Sequence, residues 1–83
     1  MAFVYMVECA DGTLYTGWTT DLAKRLATHN AGRGARYTRG RRPVRLLYWE
    51  ALPDRGSAQR RESAIRRLSR DAKLQLVASR PAD

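Results

Sequence analysis

Phe3-Val4-Tyr5-Met6-Val7, then Asp11-Gly12, then Leu14-Tyr15-Thr16-Gly17-Trp18-Thr19: two runs rich in β-branched and aromatic residues, separated by a dipeptide that favours a tight turn, read as two antiparallel strands joined in a hairpin. Thr19-Thr20-Asp21 then offers helix-capping side chains. Leu22, Leu26 and His29 recur at four and seven residues along one face, and Asn30-Ala31-Gly32 ends the pattern, so residues 21–30 are expected to be helical. A Gly/Arg loop over 32–42 follows, Pro43 marks a boundary, and Val44 to Glu50 reads as a third, largely buried strand. Pro53-Asp54-Arg55-Gly56 is a turn. Ser57 is expected to cap a helix reaching about Leu68, with Ala58, Ile65 and Leu68 on its inner side, and Ser69 to begin a last helix carrying Leu74, Leu76 and Val77. The order ββαβαα describes an α+β domain: a small three-stranded antiparallel sheet flanked by helices. A single domain over residues 1–79 is expected, with a frayed tail over 80–83.

The 83 residues are enough for one domain. Chains below ~70–80 residues rarely gain more than roughly 3–5 kcal/mol from a core, so modest stability is expected. No run of about 18 apolar residues occurs, which excludes a spanning helix, and the N-terminus lacks the basic start and long apolar stretch of a signal peptide, so a cytoplasmic location is expected. One Cys and one His cannot assemble the usual zinc spacings, so any metal must be held by oxygen.

Sixteen Lys and Arg against eight Asp and Glu give a net charge of +8. All the cations are Arg except Lys24 and Lys73. The guanidinium makes bidentate bonds to phosphate and stacks on bases, so this excess points to nucleic acid. Arg33, Arg36, Arg39, Arg41, Arg42 and Arg45 fall close together, interleaved with Gly32, Gly34, Gly40 and Tyr37, as a phosphate-gripping loop would. A solvated loop is the plainer reading of the same run. An interfacial membrane helix is disfavoured because the stretch has no apolar face.

Tyr5 and Tyr15 lie on adjacent strands, where two phenols can share one face, although aromatic residues in a small sheet are more often packing residues. Arg25 and His29, four apart on the first helix, share a face and gain nothing from each other electrostatically. Glu62 is the sole acid of its helix among Arg60, Arg61, Arg66 and Arg67, and a salt bridge to Arg66 is its plainer reading.

The order and spacing of the set say more than its members. Phe3-Val4-Tyr5 and Tyr15-Thr16-Gly17, followed by Arg25, His29, Tyr37 and a Glu on a later helix, closely resemble the GIY-YIG nuclease family over nearly the whole chain. Leu14-Tyr15-Thr16-Gly17, His29-Asn30-Ala31-Gly32 and Ala35-Arg36-Tyr37-Thr38 are similar to its small stand-alone bacterial members. Phe3, Val4 and Thr16 depart from the Gly, Ile and Ile of the name-giving triplets, and none of these changes removes a reactive group. The resemblance implies Tyr5 and Tyr15 as the motif tyrosines, Gly17 as the glycine beside the site, Arg25 as a catalytic arginine, and Glu62 as the ligand of a single Mg²⁺ or Mn²⁺. It implies that His29 and Tyr37 help to orient the nucleophile.

The implied activity is a metal-dependent DNA endonuclease, in DNA repair or processing. Hydrolysis needs an in-line water, a base, and positive charge against the transition state. A phenol with a pKa near ~10 is a poor base in water, but an adjacent arginine and a metal favour phenolate, so Tyr15 or Tyr5 is expected to take the proton, with Tyr15 preferred. Arg33, Arg36, Arg39, Arg41 and Arg42 are expected to grip DNA, branched or single-stranded forms included. RNA, a targeting protein partner and the oligomeric state are left open. The alternative is a non-catalytic or weakly active DNA- or RNA-binding module.

Overall fold

A computed structural model describes residues 1–79, and the tail assigned to 80–83 lies outside the described residues. Strand β1 (Ala2–Glu8) and strand β2 (Leu14–Thr19) pair antiparallel, with Tyr5 opposite Gly17 and Val7 opposite Tyr15. Gly12 turns the chain at φ 83°, a conformation glycine reaches without a Cβ penalty. The Asp11 carboxylate accepts from the Thr13 backbone N–H at 3.1 Å and from its hydroxyl at 2.6 Å, closing the turn. Strand β3 (Arg45–Leu52) pairs antiparallel with the other side of β1, giving the order β2-β1-β3. The register shifts between Met6 and Val7, so Met6 faces Tyr48 while Val7 faces Leu46.

Alternation along β1 sends its side chains to two faces, and each face is covered. Ala2, Val4 and Met6 are buried with Tyr48, Ala58 and Ile65, while Leu76 and Val77 close over them. Tyr5 and Val7 are buried on the other side with Cys9 and Val44, against Leu22 and Leu26. Helix α1 (Leu22–Asn30) starts at Asp21, whose carboxylate accepts from the Lys24 N–H at 3.1 Å. The expected 32–42 loop contains a helical turn, α2 (Arg36–Arg39). A four-residue helix has no periodicity to read, and this one is held by Thr38, which is fully buried and whose hydroxyl donates to the Ala35 carbonyl at 2.9 Å. Asn30 then ties the segment to the residue just before β3: its side-chain oxygen accepts from the Val44 N–H at 2.7 Å, and its amide donates to the Val44 carbonyl at 3.2 Å.

Helix α3 (Arg55–Arg66) begins earlier than Ser57, because Asp54 is the cap and accepts from the Ser57 N–H at 2.7 Å. Ala58 and Ile65 face inward as expected, but the helix ends at a cap on Arg67 and leaves Leu68 exposed. Helix α4 (Arg70–Ser79) follows Ser69, whose Oγ accepts from the Ala72 N–H at 3.1 Å; Leu76 and Val77 pack inward and Leu74 is exposed. Arg61 of α3 grips Glu50 of β3 through Nε and Nη2, both at 2.9 Å, and the Tyr48 hydroxyl also donates to Glu50. This pairing sets the rotation of α3 on the sheet. No helix among the described residues is long and apolar enough to cross a membrane.

Candidate active site

Because Tyr15 stands opposite Val7, it lies diagonally across from Tyr5 on one face, and the two rings are 6.4 Å apart. The four-residue spacing of Arg25 and His29 turns both side chains onto the same phenol oxygen. Arg25 Nε donates to Tyr5 Oη at 3.3 Å, and His29 Nε2 lies 2.7 Å from it. Gly17 is the space that makes this possible: a Cβ there would stand 2.6 Å from Tyr5 Oη and 2.8 Å from Cζ.

The hydrogen bonds fix the His29 tautomer. Thr38 Oγ1 gives its proton to the Ala35 carbonyl, so toward His29 Nδ1, at 2.8 Å, it accepts. Nδ1 therefore carries the proton, Nε2 is bare, and the Tyr5 hydroxyl donates to Nε2. Burial, joined by the charge of Arg25, holds the imidazole pKa below its ordinary value and keeps the ring neutral. Burial likewise pushes the Tyr5 phenol up, against the lowering effect of the Arg25 hydrogen bond. Both shifts oppose moving the proton from Tyr5 to His29. The Arg25 pKa is raised, first by its hydrogen bond to Tyr5 and also by Tyr15, which puts one firmly charged guanidinium beside both phenols.

Tyr15 differs from Tyr5 in access: it is half-buried, whereas Tyr5 is buried. Its ring stacks on Tyr37 at 5.9 Å and 24°, and it meets the edge of His29 at 5.4 Å. Tyr37 is itself covered by the Arg41 guanidinium, 4.1 Å from the ring centroid. Tyr5, Tyr15, Gly17, Arg25, His29 and Tyr37 thus form one cluster.

Glu62 approaches from α3. It is half-buried and makes no ion pair or hydrogen bond among the described residues, so the plainer expectation of a bridge to Arg66 is not met. Its negative charge is felt at Tyr5, whose pKa it helps to raise. The donor set is oxygen only, and no group of three or more His, Cys, Asp or Glu that could hold a metal occurs among the described residues. One unpaired carboxylate suits a hard cation that keeps most of its waters and shares substrate phosphates, as Mg²⁺ does.

The basic loop divides in two. Arg41 is engaged internally, with Nε donating to Asp11 at 3.0 Å and Nη1 to the Tyr37 carbonyl at 2.7 Å. Arg42 donates to the carbonyls of Arg39 at 3.0 Å and Asn30 at 3.4 Å. Arg33, Arg36 and Arg39 are exposed, and their guanidiniums make no ion pair among the described residues.

Sequence reasoning assigned no role to Thr38 or Gly34. Thr38 sets the His29 tautomer; a Cβ on Gly34 would collide with His29 Nδ1. Thr38 ends the quoted string Ala35-Arg36-Tyr37-Thr38, which was the available signal. Gly34 carried none beyond its place among the arginines.

The profile of the GIY-YIG catalytic domain matches residues 1–75. Among similar chains is the UPF0213 protein CPE1444 of Clostridium perfringens, 51% identical over 80 residues that span 96% of this chain and 86% of that one. The solution NMR structure of the UPF0213 protein BH0048 from Bacillus halodurans superposes with a TM-score of 0.64 at 46% identity, covering 99% of this chain and 88% of that one. That of protein EF2693 from E. faecalis gives 0.62 at 37% identity, covering 93% and 82%.

Proposed function

The chain belongs to the GIY-YIG catalytic-domain family, and we propose that it is an endonuclease that hydrolyses phosphodiester bonds of DNA with one divalent cation, Mg²⁺ or Mn²⁺, held by Glu62. The observation that carries this reading is the convergence of Arg25 and His29 on Tyr5 Oη, with Tyr15 half-open beside them.

The two phenols divide the work. Tyr5 donates a hydrogen bond to His29 and is held protonated by burial, so it orients rather than accepts. Tyr15, with solvent access and the same arginine beside it, acts from its phenolate form: it takes the proton of the attacking water as that oxygen bonds to phosphorus and the P–O bond to the leaving strand breaks, and the leaving oxygen takes a proton from solvent water. Arg25 faces the charge that grows on the phosphate oxygens, where a fixed donor acts without reorganising. Thr38 and His29 hold the Tyr5 hydroxyl in place. Tyr37 stacks on Tyr15 and limits where its ring can turn. A bound cation would supply Lewis acidity to the phosphate and leaving oxygens. Arg33, Arg36 and Arg39, whose exposed guanidiniums make no ion pair among the described residues, would hold the strand on the α2 side.

The test is a nicking assay on plain duplex, flap, branched and single-stranded DNA with Mg²⁺ or Mn²⁺, using Glu62→Gln as the control. Metal-dependent nicking that vanishes in Glu62→Gln, with the unfolding midpoint unmoved, is the expected outcome. DNA binding without nicking by the unaltered chain would make it a binding module instead, and nicking retained in Glu62→Gln would place the metal elsewhere.

A further inference from the structure

Beside the tyrosine cluster, where edge strand β2 meets α3 and α4, lies a cavity of about 190 Å³ lined by Leu14, Tyr15, Thr16, Tyr37, Arg66 and Lys73. Two of its lining residues are cations, and neither side chain makes an ion pair or hydrogen bond among the described residues. A second hollow, lined by Thr13, Leu14, Arg70 and Lys73, continues it along the same edge and adds a third cation.

The observation that points to a ligand is Thr16. It is only 4% exposed, and its Oγ1 is the buried side-chain polar atom among the described residues without a hydrogen-bond partner. An unpaired buried hydroxyl costs free energy, and a β-branched aliphatic of the same shape would avoid that cost at a strand position. A hydroxyl donor with two cations around one hollow is the chemistry that binds a phosphate: charge from Arg and Lys, and a short neutral donor for a remaining oxygen.

We propose that this cavity is a phosphate subsite, occupied by a phosphate of the nucleic-acid strand flanking the bond to be cut, with Arg66 and Lys73 supplying charge and Thr16 the neutral donor. This rests on the nuclease reading for the identity of the strand, but not for the binding itself. It routes the strand past Tyr15 along β2 and α4, on the side of the cluster away from α1. The phosphate comes either from within the strand or from a strand end.

The experiment follows the backbone amide resonances of the full chain by NMR as inorganic phosphate is added. Saturable shifts are expected at Thr16 and over residues 66–73. In Arg66→Gln/Lys73→Gln the phosphate affinity falls about tenfold or more, in Thr16→Val it falls severalfold, and in Thr16→Ser it is retained, with the rest of each spectrum in place. An absence of saturable shifts at Thr16, or the same affinity in the double variant, overturns the subsite. Competition by oligonucleotides with and without terminal phosphates distinguishes the sources: an advantage for the phosphorylated end assigns a strand end, and equal competition an internal phosphate, both in support. The two readings fail separately. Saturable phosphate binding in a protein that never nicks DNA removes the nuclease and keeps the subsite. Nicking by the double variant with unaltered KM and salt dependence, alongside unaltered phosphate binding, removes the subsite and keeps the nuclease.

Discussion

On one face of β1, Val4 and Met6 lie fully buried among Tyr48, Ala58 and Ile65; on the other, Tyr5, almost as deeply covered, spends its only polar atom on His29 and Arg25. Adjacent residues of a single strand therefore lead opposite lives. The helix α3 face is filled mainly by apolar contact, with Glu50 and Arg61 as a pinned ion pair at its margin. The α1 face buries a neutral histidine, a phenol and a threonine hydroxyl, each satisfied by the next. Burial serves both, but on the first face it contributes stability, and on the second it fixes protonation states. Substitutions on the two faces should accordingly be told apart by whether stability or reaction rate moves.

The largest expected effect is on the apolar face. Met6→Ala removes a fully buried side chain and should cost about 2–5 kcal/mol in denaturant unfolding, while the nicking rate per folded molecule stays level. A rate loss larger than the unfolded fraction explains would mean that the two faces are coupled. Arg25→Ala should do the reverse, lowering the nicking rate by about 10²–10³, or about 2.7–4 kcal/mol, with DNA affinity close to normal. If affinity and rate fall together at saturating DNA, Arg25 belongs to binding.

Gly17→Ala tests the packing between the tyrosines. With Tyr5 Oη held at both ends, a methyl group 2.6 Å away must displace the ring, at a cost of about 1–3 kcal/mol and with loss of the bond to His29. The His29 ring resonances would report it, and a variant with unmoved resonances and full activity would show that the ring has slack.

The smallest effect is in pH. His29, the chain's single histidine, has a folded pKa below its unfolded value of ~6.5, so the unfolded state binds a proton first as pH falls. Its contribution to stability is complete above ~6.5 and is lost as pH drops from there toward the folded pKa, at up to about 1.4 kcal/mol per pH unit. Thermal melts across that window should show the slope, and His29→Gln should flatten it. A slope that survives the substitution would have to come from carboxylates.

The first two strands were legible because β-branched and aromatic runs and the Asp11-Gly12 turn act locally. The four-residue helix α2 was not, since it exists through Thr38 and its contact to His29, a partner nine residues earlier. The start of α3 was misplaced for a related reason: Asp54 and Ser57 are both capping residues, and only the observed bond from the Ser57 N–H to Asp54 decides between them. The tyrosines, Arg25 and His29 were legible as a set through spacing and family resemblance. Which phenol is covered, and which histidine nitrogen carries the proton, depend on neighbours from three elements. The same holds for the basic loop, where Arg41 and Arg42 read like the other arginines but are engaged with Asp11 and with backbone carbonyls.

Among the described residues only β1 has a strand on both sides, which leaves β2 and β3 as edge strands, the kind of element along which copies of a chain can pair. The chain carries a net charge of +8. Two copies approaching edge to edge repel one another over a distance set by ionic strength, about 10 Å at 0.1 M salt. The positive charge that would draw in a polyanion therefore also opposes the approach of a second copy, and concentrated salt or a neutralising ligand weakens that opposition while the fold is still intact.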